Sequence, residues 1–130
     1  MGAWGAGTFE NDDARDWLEQ LATLTVEDIA TLLVRADSSD YLEAAESGVI
    51  VAGAEAVAAW RGAPSELVPP AISEWAAKNT APPSPDLTAL AVRAVLRVRT
   101  DSELKDLWLE ADGLNEWSAA LRNLEQRLSG

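Results

Sequence analysis

The sequence predicts an all-α fold, a compact orthogonal or irregular bundle of about seven helices in one domain. Apolar residues recur at helical spacing in seven segments, and no two segments alternate in the way that paired strands require. Most of these segments begin at a helix-capping residue or a proline. With 130 residues, 48% of them hydrophobic, the chain is long enough to bury one core and too short for two.

The first two predicted helices are amphipathic. Asn11 is the expected N-cap of the first helix, and the acidic residues that follow it suit the positive end of the helix dipole. In the second helix, Thr25 and Asp28 approximate a capping box. The apolar faces comprise Ala14, Trp17, Leu18 and Leu21 in the first helix and Val26, Ile29, Ala30 and Leu33 in the second.

The third predicted helix begins after Ser39 or Asp40 and runs to Gly62. It is apolar on nearly every side, which is typical of a helix in the centre of a bundle. The stretch from Gly48 to Gly53 could instead be a short buried strand, because glycines bound its β-branched residues. No second strand is available to pair with it, so we predict a helix in which either glycine lets a neighbouring helix approach closely.

Prolines mark the next two helices. Pro69 and Pro70 open a short fourth helix, because proline is tolerated in the first turn. The fifth helix has Ser84 as its cap and Pro85 as its first residue. The proline-rich stretch at 80–85 is too short for a flexible linker, so it predicts a turn between two helical halves of one domain.

Capping signals also bound the last two helices. Thr100 and Glu103 form the pattern of a capping box for the sixth helix, which is expected to stop at Gly113. Asn115 is the expected cap of the seventh helix. The apolar seam of that helix consists of Trp117, Leu121, Leu124 and Leu128.

The composition excludes several classes of function. A net charge of −12 and a pI of about 4.2 argue against nucleic-acid binding through a basic surface. Histidine and cysteine are absent, so the chain lacks the parts for Ser-His-Asp or Cys-His catalysis, for thiolate or imidazole zinc sites, and for disulfides. No segment approaches a membrane span and none resembles a leader, which predicts a cytoplasmic protein without a membrane partner. The sequence also contains no motif that predicts a cofactor.

The first fourteen residues, MGAWGAGTFENDDA, resemble the start of a bacterial family catalogued as domain of unknown function 4259. Members of this family begin M-G-A-W-G-x-G-x-F-[DE]-N-D-x-A, and the similarity extends along nearly the whole chain. The resemblance implies an α-helical fold and a bacterial source. It assigns no activity.

The six tryptophans supply nearly all the large aromatic volume. Four of them lie on apolar faces and are predicted to be core: Trp17, Trp75, Trp108 and Trp117. Trp4 and Phe9 in the glycine-rich opening either fill a gap on the helical core or belong to a loop that meets a partner. Trp60 and Trp4 lie at the edges of elements, and either one would be an interface anchor if exposed.

Three arginines of the fifth helix, Arg93, Arg97 and Arg99, have no acidic residue between Asp86 and Asp101. The favoured interpretation is that they pair with acidic residues of neighbouring helices. The alternative is that they capture an anionic ligand or an acidic partner tail.

Two groups of acidic residues could offer oxygen ligands to magnesium or calcium. They are Asp12, Asp13, Asp16 and Glu19 in the first helix, and Asp37, Asp40 and Glu43 before the third. Neither group has the spacing of a known metal loop, and the helix dipole already accounts for acidic first turns, so no metal site is predicted.

These observations favour binding over catalysis. The leading hypothesis is a small acidic, non-enzymatic module that binds a basic protein, as an inhibitor or immunity-type protein would. A second hypothesis is a self-associating structural protein, a homo-oligomer in which Trp4 or the seam from Trp117 to Leu128 forms a symmetric interface. A third is a hydrolase that depends on carboxylates and a divalent metal.

Overall fold

A computed structural model describes residues 12–66 and 68–129. This part of the chain forms seven α-helices and no strand, which confirms the predicted all-α bundle. A 3₁₀ turn (Leu21–Thr23), which the sequence pattern did not predict, follows the first helix. The helices are α1 (Asp12–Gln20), α2 (Val26–Ser38), α3 (Ala44–Trp60), α4 (Pro70–Lys78), α5 (Pro85–Thr100), α6 (Glu103–Glu110) and α7 (Leu114–Ser129).

Helix α3 is the centre of the bundle and contacts the six other helices. It is buried nearly all round between Ser47 and Ala58, as its apolar sequence predicts. A Cβ atom on Gly53 would lie 2.9 Å from Cδ2 of Leu32, so this glycine lets α2 approach α3 closely. The segment is therefore a central helix, and the strand alternative is wrong.

The start of α3 differs from the prediction. The helix begins at Ala44, not after Ser39 or Asp40. The backbone N–H of Ala44 donates a hydrogen bond to Oε1 of Glu103 (2.8 Å), and the N–H of Glu103 donates to the carbonyl of Leu42 (2.9 Å). These tertiary bonds hold the backbone just before α3 against the start of α6, so the helix begins several residues late.

The end of α3 is also earlier than predicted. The helix stops at Trp60, and Gly62 adopts a φ of 93°, a left-handed conformation that no α-helix contains. The chain then turns back, with the N–H of Ala63 donating to the carbonyl of Ala58 (2.9 Å). The left-handed conformation of Gly62, two residues after Trp60, therefore prevents the helix from continuing.

The caps of α2, α4 and α5 are confirmed. Thr25 and Asp28 form both bonds of a capping box. Pro69 precedes α4 and Pro70 is its first residue. The Ser84 hydroxyl accepts a hydrogen bond from the N–H of Leu87 at the start of α5 (3.1 Å).

The caps of α6 and α7 are not the predicted ones. Ser102, not Thr100, caps α6 by accepting from the N–H of Lys105 (3.1 Å), because Thr100 still belongs to α5. Helix α7 begins at Leu114, so Asn115 lies inside its first turn instead of capping it.

Two residues, Asp112 and Gly113, shape the turn between α6 and α7. Helix α6 ends at Glu110, before the predicted stop at Gly113, and Asp112 takes a left-handed conformation (φ 61°) in the turn. A Cβ atom on Gly113 would lie 2.7 Å from Cε3 of Trp108. This glycine therefore serves the close approach of the turn to the indole ring.

One hydrophobic core joins the helices on both sides of the turn at 80–85. Trp17, Trp75 and Trp117 are buried in it, as predicted. Trp108 was predicted to be core but is only half-buried, because α6 contributes no fully buried residue and covers the core from outside. In the part of the chain described, none of the seven helices combines the length and the apolar character of a membrane span.

Candidate functional site

The aromatic residues proposed as interface anchors divide into two groups. Trp4 and Phe9 lie outside the described residues. Trp60 is half-buried, and its indole Nε1 donates a hydrogen bond to the carbonyl of Ala81 (2.6 Å). Its ring meets that of Trp75 edge-on, with the centroids 5.7 Å apart. Trp60 therefore fastens the end of α3 to the turn between α4 and α5.

Arg97 holds the end of α2. Its Nη1 donates to the carbonyls of Ala36 (2.8 Å) and Ser39 (2.9 Å), and its Nη2 donates to that of Asp40 (3.3 Å). Its Nε donates to the carbonyl of Asp101 (2.8 Å). The guanidinium thus provides hydrogen-bond donors to carbonyls that have no partner within the helix. Only 19% of the side chain is exposed.

Arg99 and Arg93 pair with acidic residues of neighbouring helices, as the favoured interpretation of the sequence predicts. For Arg97 that prediction is wrong, because its partners on the neighbouring segment are backbone carbonyls. Arg99 binds Glu125 of α7, with its Nε 2.6 Å from Oε2 and its Nη2 3.3 Å from Oε1. The Nε of Arg93 lies 3.6 Å from Oδ2 of Asp37 on α2. The Arg93 side chain remains 57% exposed, which leaves it accessible to a ligand.

A buried ion pair joins α3 to α7 and was not predicted. Arg127 donates from Nη1 to Oε1 of Glu55 (2.8 Å) and from Nη2 to Oε2 (3.1 Å). The Arg127 side chain is 17% exposed and that of Glu55 only 5%. The sequence carried one signal for this pair, because Glu55 is a charged residue inside an otherwise apolar segment.

The fold separates the charges by depth. Within the described residues, 17 acidic side chains are exposed but only five basic ones are. Arg97, Arg99 and Arg127 are largely enclosed by the helix ends and carboxylates that they bind. The outer surface is therefore strongly acidic.

One part of the acidic surface contains an exposed tyrosine with three carboxylates near it, and we call it the Tyr41 face: Tyr41, Glu43, Glu103 and Asp106. Tyr41 is 61% exposed, the largest exposure among the large hydrophobic residues described. The carboxylates of Glu103, Asp106 and Glu43 lie close enough to its hydroxyl to raise its pKa. Leu109, one helical turn after Asp106 on α6, is also exposed (57%). An exposed tyrosine surrounded by carboxylates suits a cationic side chain of a partner.

The hydrogen bonds between Glu103 and the residues just before α3 also position the Tyr41 face. Leu42, next to Tyr41, is completely buried, and its carbonyl accepts from the N–H of Glu103. The Glu103 carboxylate in turn accepts from the N–H of Ala44. Tyr41 is thus held against the start of α6. The sequence offered one clue, that the single tyrosine stands among acidic residues.

The environment raises the pKa of Tyr41 above its ordinary value of 10.0. Desolvation by its neighbours is the largest cause, although the ring stays mostly exposed. A hydrogen bond to Glu103 and the negative charges of Glu103, Asp106 and Glu43 add to it. The phenol therefore stays a neutral hydrogen-bond donor at physiological pH.

We expect Tyr41 to ionise above pH 10 in an alkaline absorbance titration, which reads one residue because the chain has one tyrosine. Because the folded pKa is raised, the associated stability is present below pH 10 and is lost as the pH rises through the folded pKa. Glu103→Gln should lower the pKa of Tyr41 while keeping an oxygen for the N–H of Ala44. Glu74→Gln on α4 is the control, and equal pKa values in both variants would contradict the assignment.

The predicted acidic groups do not converge. Asp12, Asp13 and Asp16 are exposed along α1, and Asp37 is partnered by Arg93. In residues 12–66 and 68–129, no three acidic side chains come together in a way that could hold a metal ion.

Comparison with known proteins gives one match. A family model described as "Domain of unknown function (DUF4259)" matches residues 2–120. No curated protein and no solved structure matches the chain. The match covers most of the chain, and its description contains no activity.

Proposed function

Because the chain belongs to the DUF4259 family, a domain of unknown function, we propose a function from the molecule's own contacts and charges. The protein is a small non-enzymatic binding module, and the Tyr41 face binds a basic protein. The excess of acidic residues on the surface carries this proposal. In the described part of the chain, 17 acidic residues are exposed and only five basic ones are.

Charge acts first, at long range. A surface of one sign attracts partners of the opposite sign and raises the rate of encounter, and salt weakens this attraction. Arg99 and Arg127 form neutral pairs with Glu125 and Glu55, so the exposed side chains near the surface are mostly carboxylates. The net charge of −12 is therefore expressed mainly at the surface.

The Tyr41 face then recognises the partner at short range. A lysine or arginine side chain can lie on the exposed ring while a carboxylate of Glu43 or Asp106 pairs with its charge. The bonds between Glu103 and residues 42–44 already hold this face in place, so little conformational entropy is lost on binding. Such a module suits an inhibitor or immunity-type protein that neutralises a basic partner.

The two other hypotheses have less support. The seam of α7 proposed for self-association is buried within the chain: Trp117, Leu121, Leu124 and Leu128 are at most 4% exposed. Trp4, the other contact proposed for it, lies outside the described residues. A hydrolase that uses a divalent ion would need a group of carboxylates arranged to hold that ion, and the described residues contain no such group.

The double charge reversal Glu43→Lys/Asp106→Lys tests the proposal. The wild-type chain, used as bait in an extract of its source organism, should retain a basic protein that high salt releases. The reversed variant should lose it, because two attractive carboxylates become repulsive. The control Glu19→Lys/Glu74→Lys changes the net charge equally on α1 and α4, and it should retain most of the binding. Recovery of the same proteins on all three baits would contradict the proposal.

A further inference from the structure

A groove on the side of the bundle near the carboxyl end of α3 has no part in the Tyr41 face. Its volume is about 690 Å³, and it lies between the turn before α5, the first turns of α5 and the ends of α3 and α7. We call it the proline–arginine groove. It is lined by Pro82, Pro83, Pro85 and Val92 on its apolar side and by Arg61 and Arg93 among its polar groups.

The two arginines of the groove differ from the enclosed ones. Arg93 has 57% of its side chain exposed, and its ion pair with Asp37 is long (3.6 Å) and exposed. Arg61 uses Nη1 to donate to the carbonyl of Arg127 (2.5 Å). No carboxylate in the described residues forms an ion pair with Arg61. Both guanidinium groups therefore keep hydrogen-bond donors for a ligand.

The helix that lines the groove adds to its positive character. Pro85 is the first residue of α5, and Thr88 and Ala89 of its first turns also line the groove. The amino end of a 16-residue helix carries a partial positive charge, which the exposed carboxylate of Asp86 in the same turn offsets in part, so the two arginines are the main source of positive charge in the groove. On a protein whose exposed residues are mostly acidic, this groove is a local site for an anion.

We infer that the proline–arginine groove binds an acidic peptide segment of a partner protein. Arg93 and Arg61 bind carboxylates of the peptide, and the proline side of the groove binds its apolar side chains. Prolines form a rigid wall, which loses little entropy when a ligand docks. Recognition of acidic motifs by arginines is a common mode of peptide binding.

The shape of the groove favours a peptide over a small molecule. Small-molecule sites enclose most of their ligand, commonly 70–90% of its surface. This groove is open to solvent, so a small anion would stay largely hydrated in it. An extended peptide gains contacts along the whole groove. Exposure of one of its sides therefore costs it a smaller share of its binding free energy than it would cost a small molecule. The site is independent of the Tyr41 face, so either proposal can fail without the other.

A defined peptide tests this inference. The probe is a hexapeptide of alternating Glu and Leu with both ends blocked, titrated into the full-length ¹⁵N-labelled chain. We expect amide shifts centred on Thr88, Ala89 and Val92, and none of comparable size at residues 41–44. The same peptide with Gln in place of Glu should bind at least about tenfold more weakly, because charge-assisted hydrogen bonds are replaced by neutral ones.

Variants assign the binding to the groove. Arg93→Gln should weaken the peptide about tenfold, whereas Arg122→Gln, which removes an exposed arginine of α7 outside the groove, should not. Ala89→Glu places a carboxylate at an exposed groove position and should abolish binding without entering the core. It also keeps the test valid if variants of Arg61 lose stability through their bond to α7.

Three results would overturn the inference. The peptide could cause no shift at the groove, Arg122→Gln could weaken it as much as Arg93→Gln, or the Gln peptide could bind equally well. Shifts at Thr88 and Ala89 that depend on protein concentration without peptide would instead assign the groove to a second copy of the chain.

Discussion

Replacing Arg127 with methionine is expected to lower the free energy of unfolding by about 3–5 kcal/mol. Arg127 forms a two-point ion pair with Glu55, which is only 5% exposed, and also donates to the carbonyl of Ala63. Methionine keeps most of the side-chain volume but leaves the Glu55 carboxylate in the core without this partner. Denaturant unfolding followed by circular dichroism measures the loss.

The double variant Glu55→Leu/Arg127→Met is the matched control. It removes both charges at once, and such replacements in other proteins are often neutral or stabilising. We therefore expect it to be more stable than Arg127→Met alone. A double variant that is less stable than the single one would show that the ion pair is not the source of the loss.

Replacing Trp75 with alanine should cost about 3–5 kcal/mol, the range measured for large aromatic residues in cores. Trp75 is 3% exposed, and its Nε1 donates to the carbonyl of Leu24 (3.0 Å). Alanine would leave a cavity, remove the edge contact with Trp60, and deprive the carbonyl of its partner. The loss is measured by the same unfolding experiment.

Trp75→Phe separates these contributions. It keeps a ring in the core but loses the hydrogen bond to Leu24, so we expect a smaller loss of about 1–3 kcal/mol. If alanine and phenylalanine cost the same, cavity formation is not the dominant effect. If alanine costs less than about 1 kcal/mol, Trp75 does not have the central packing role described here.

Local signals predicted those parts of the fold that local contacts determine. Thr25 and Asp28 form the predicted capping box because both of its bonds span three residues. Ser84 caps α5 for the same reason. The apolar sequence around Gly53 predicted the central helix, since a helix without a polar face must be surrounded.

Long-range contacts determine what the sequence pattern missed. The start of α3 depends on Glu103, which is 59 residues away from Ala44 along the chain. Trp108 lies on an apolar stripe, but its burial depends on how many helices cover it, and α6 is at the edge. Periodicity reports which side of a helix is apolar, and it does not report how deeply that side is buried.

The same distinction applies to the candidate site. Composition predicted the sign of the surface charge, and the lack of nearby acids predicted that arginines of α5 pair across helices. Neither signal locates the Tyr41 face, because Tyr41 and Glu103 meet only when the start of α6 packs on the residues before α3. The carbonyl partners of Arg97 were equally invisible, since backbone groups leave no mark in a sequence.

The affinity of the basic partner for a Tyr41→Ala variant tests the central claim most directly. With the partner recovered on the wild-type chain, the dissociation constant is measured for both proteins over a range of salt concentrations. The account predicts a loss of affinity of at least about thirtyfold, as for a central aromatic contact, and weaker binding by the wild type as salt increases. Equal affinities of the two proteins, or binding that salt does not change, would contradict it.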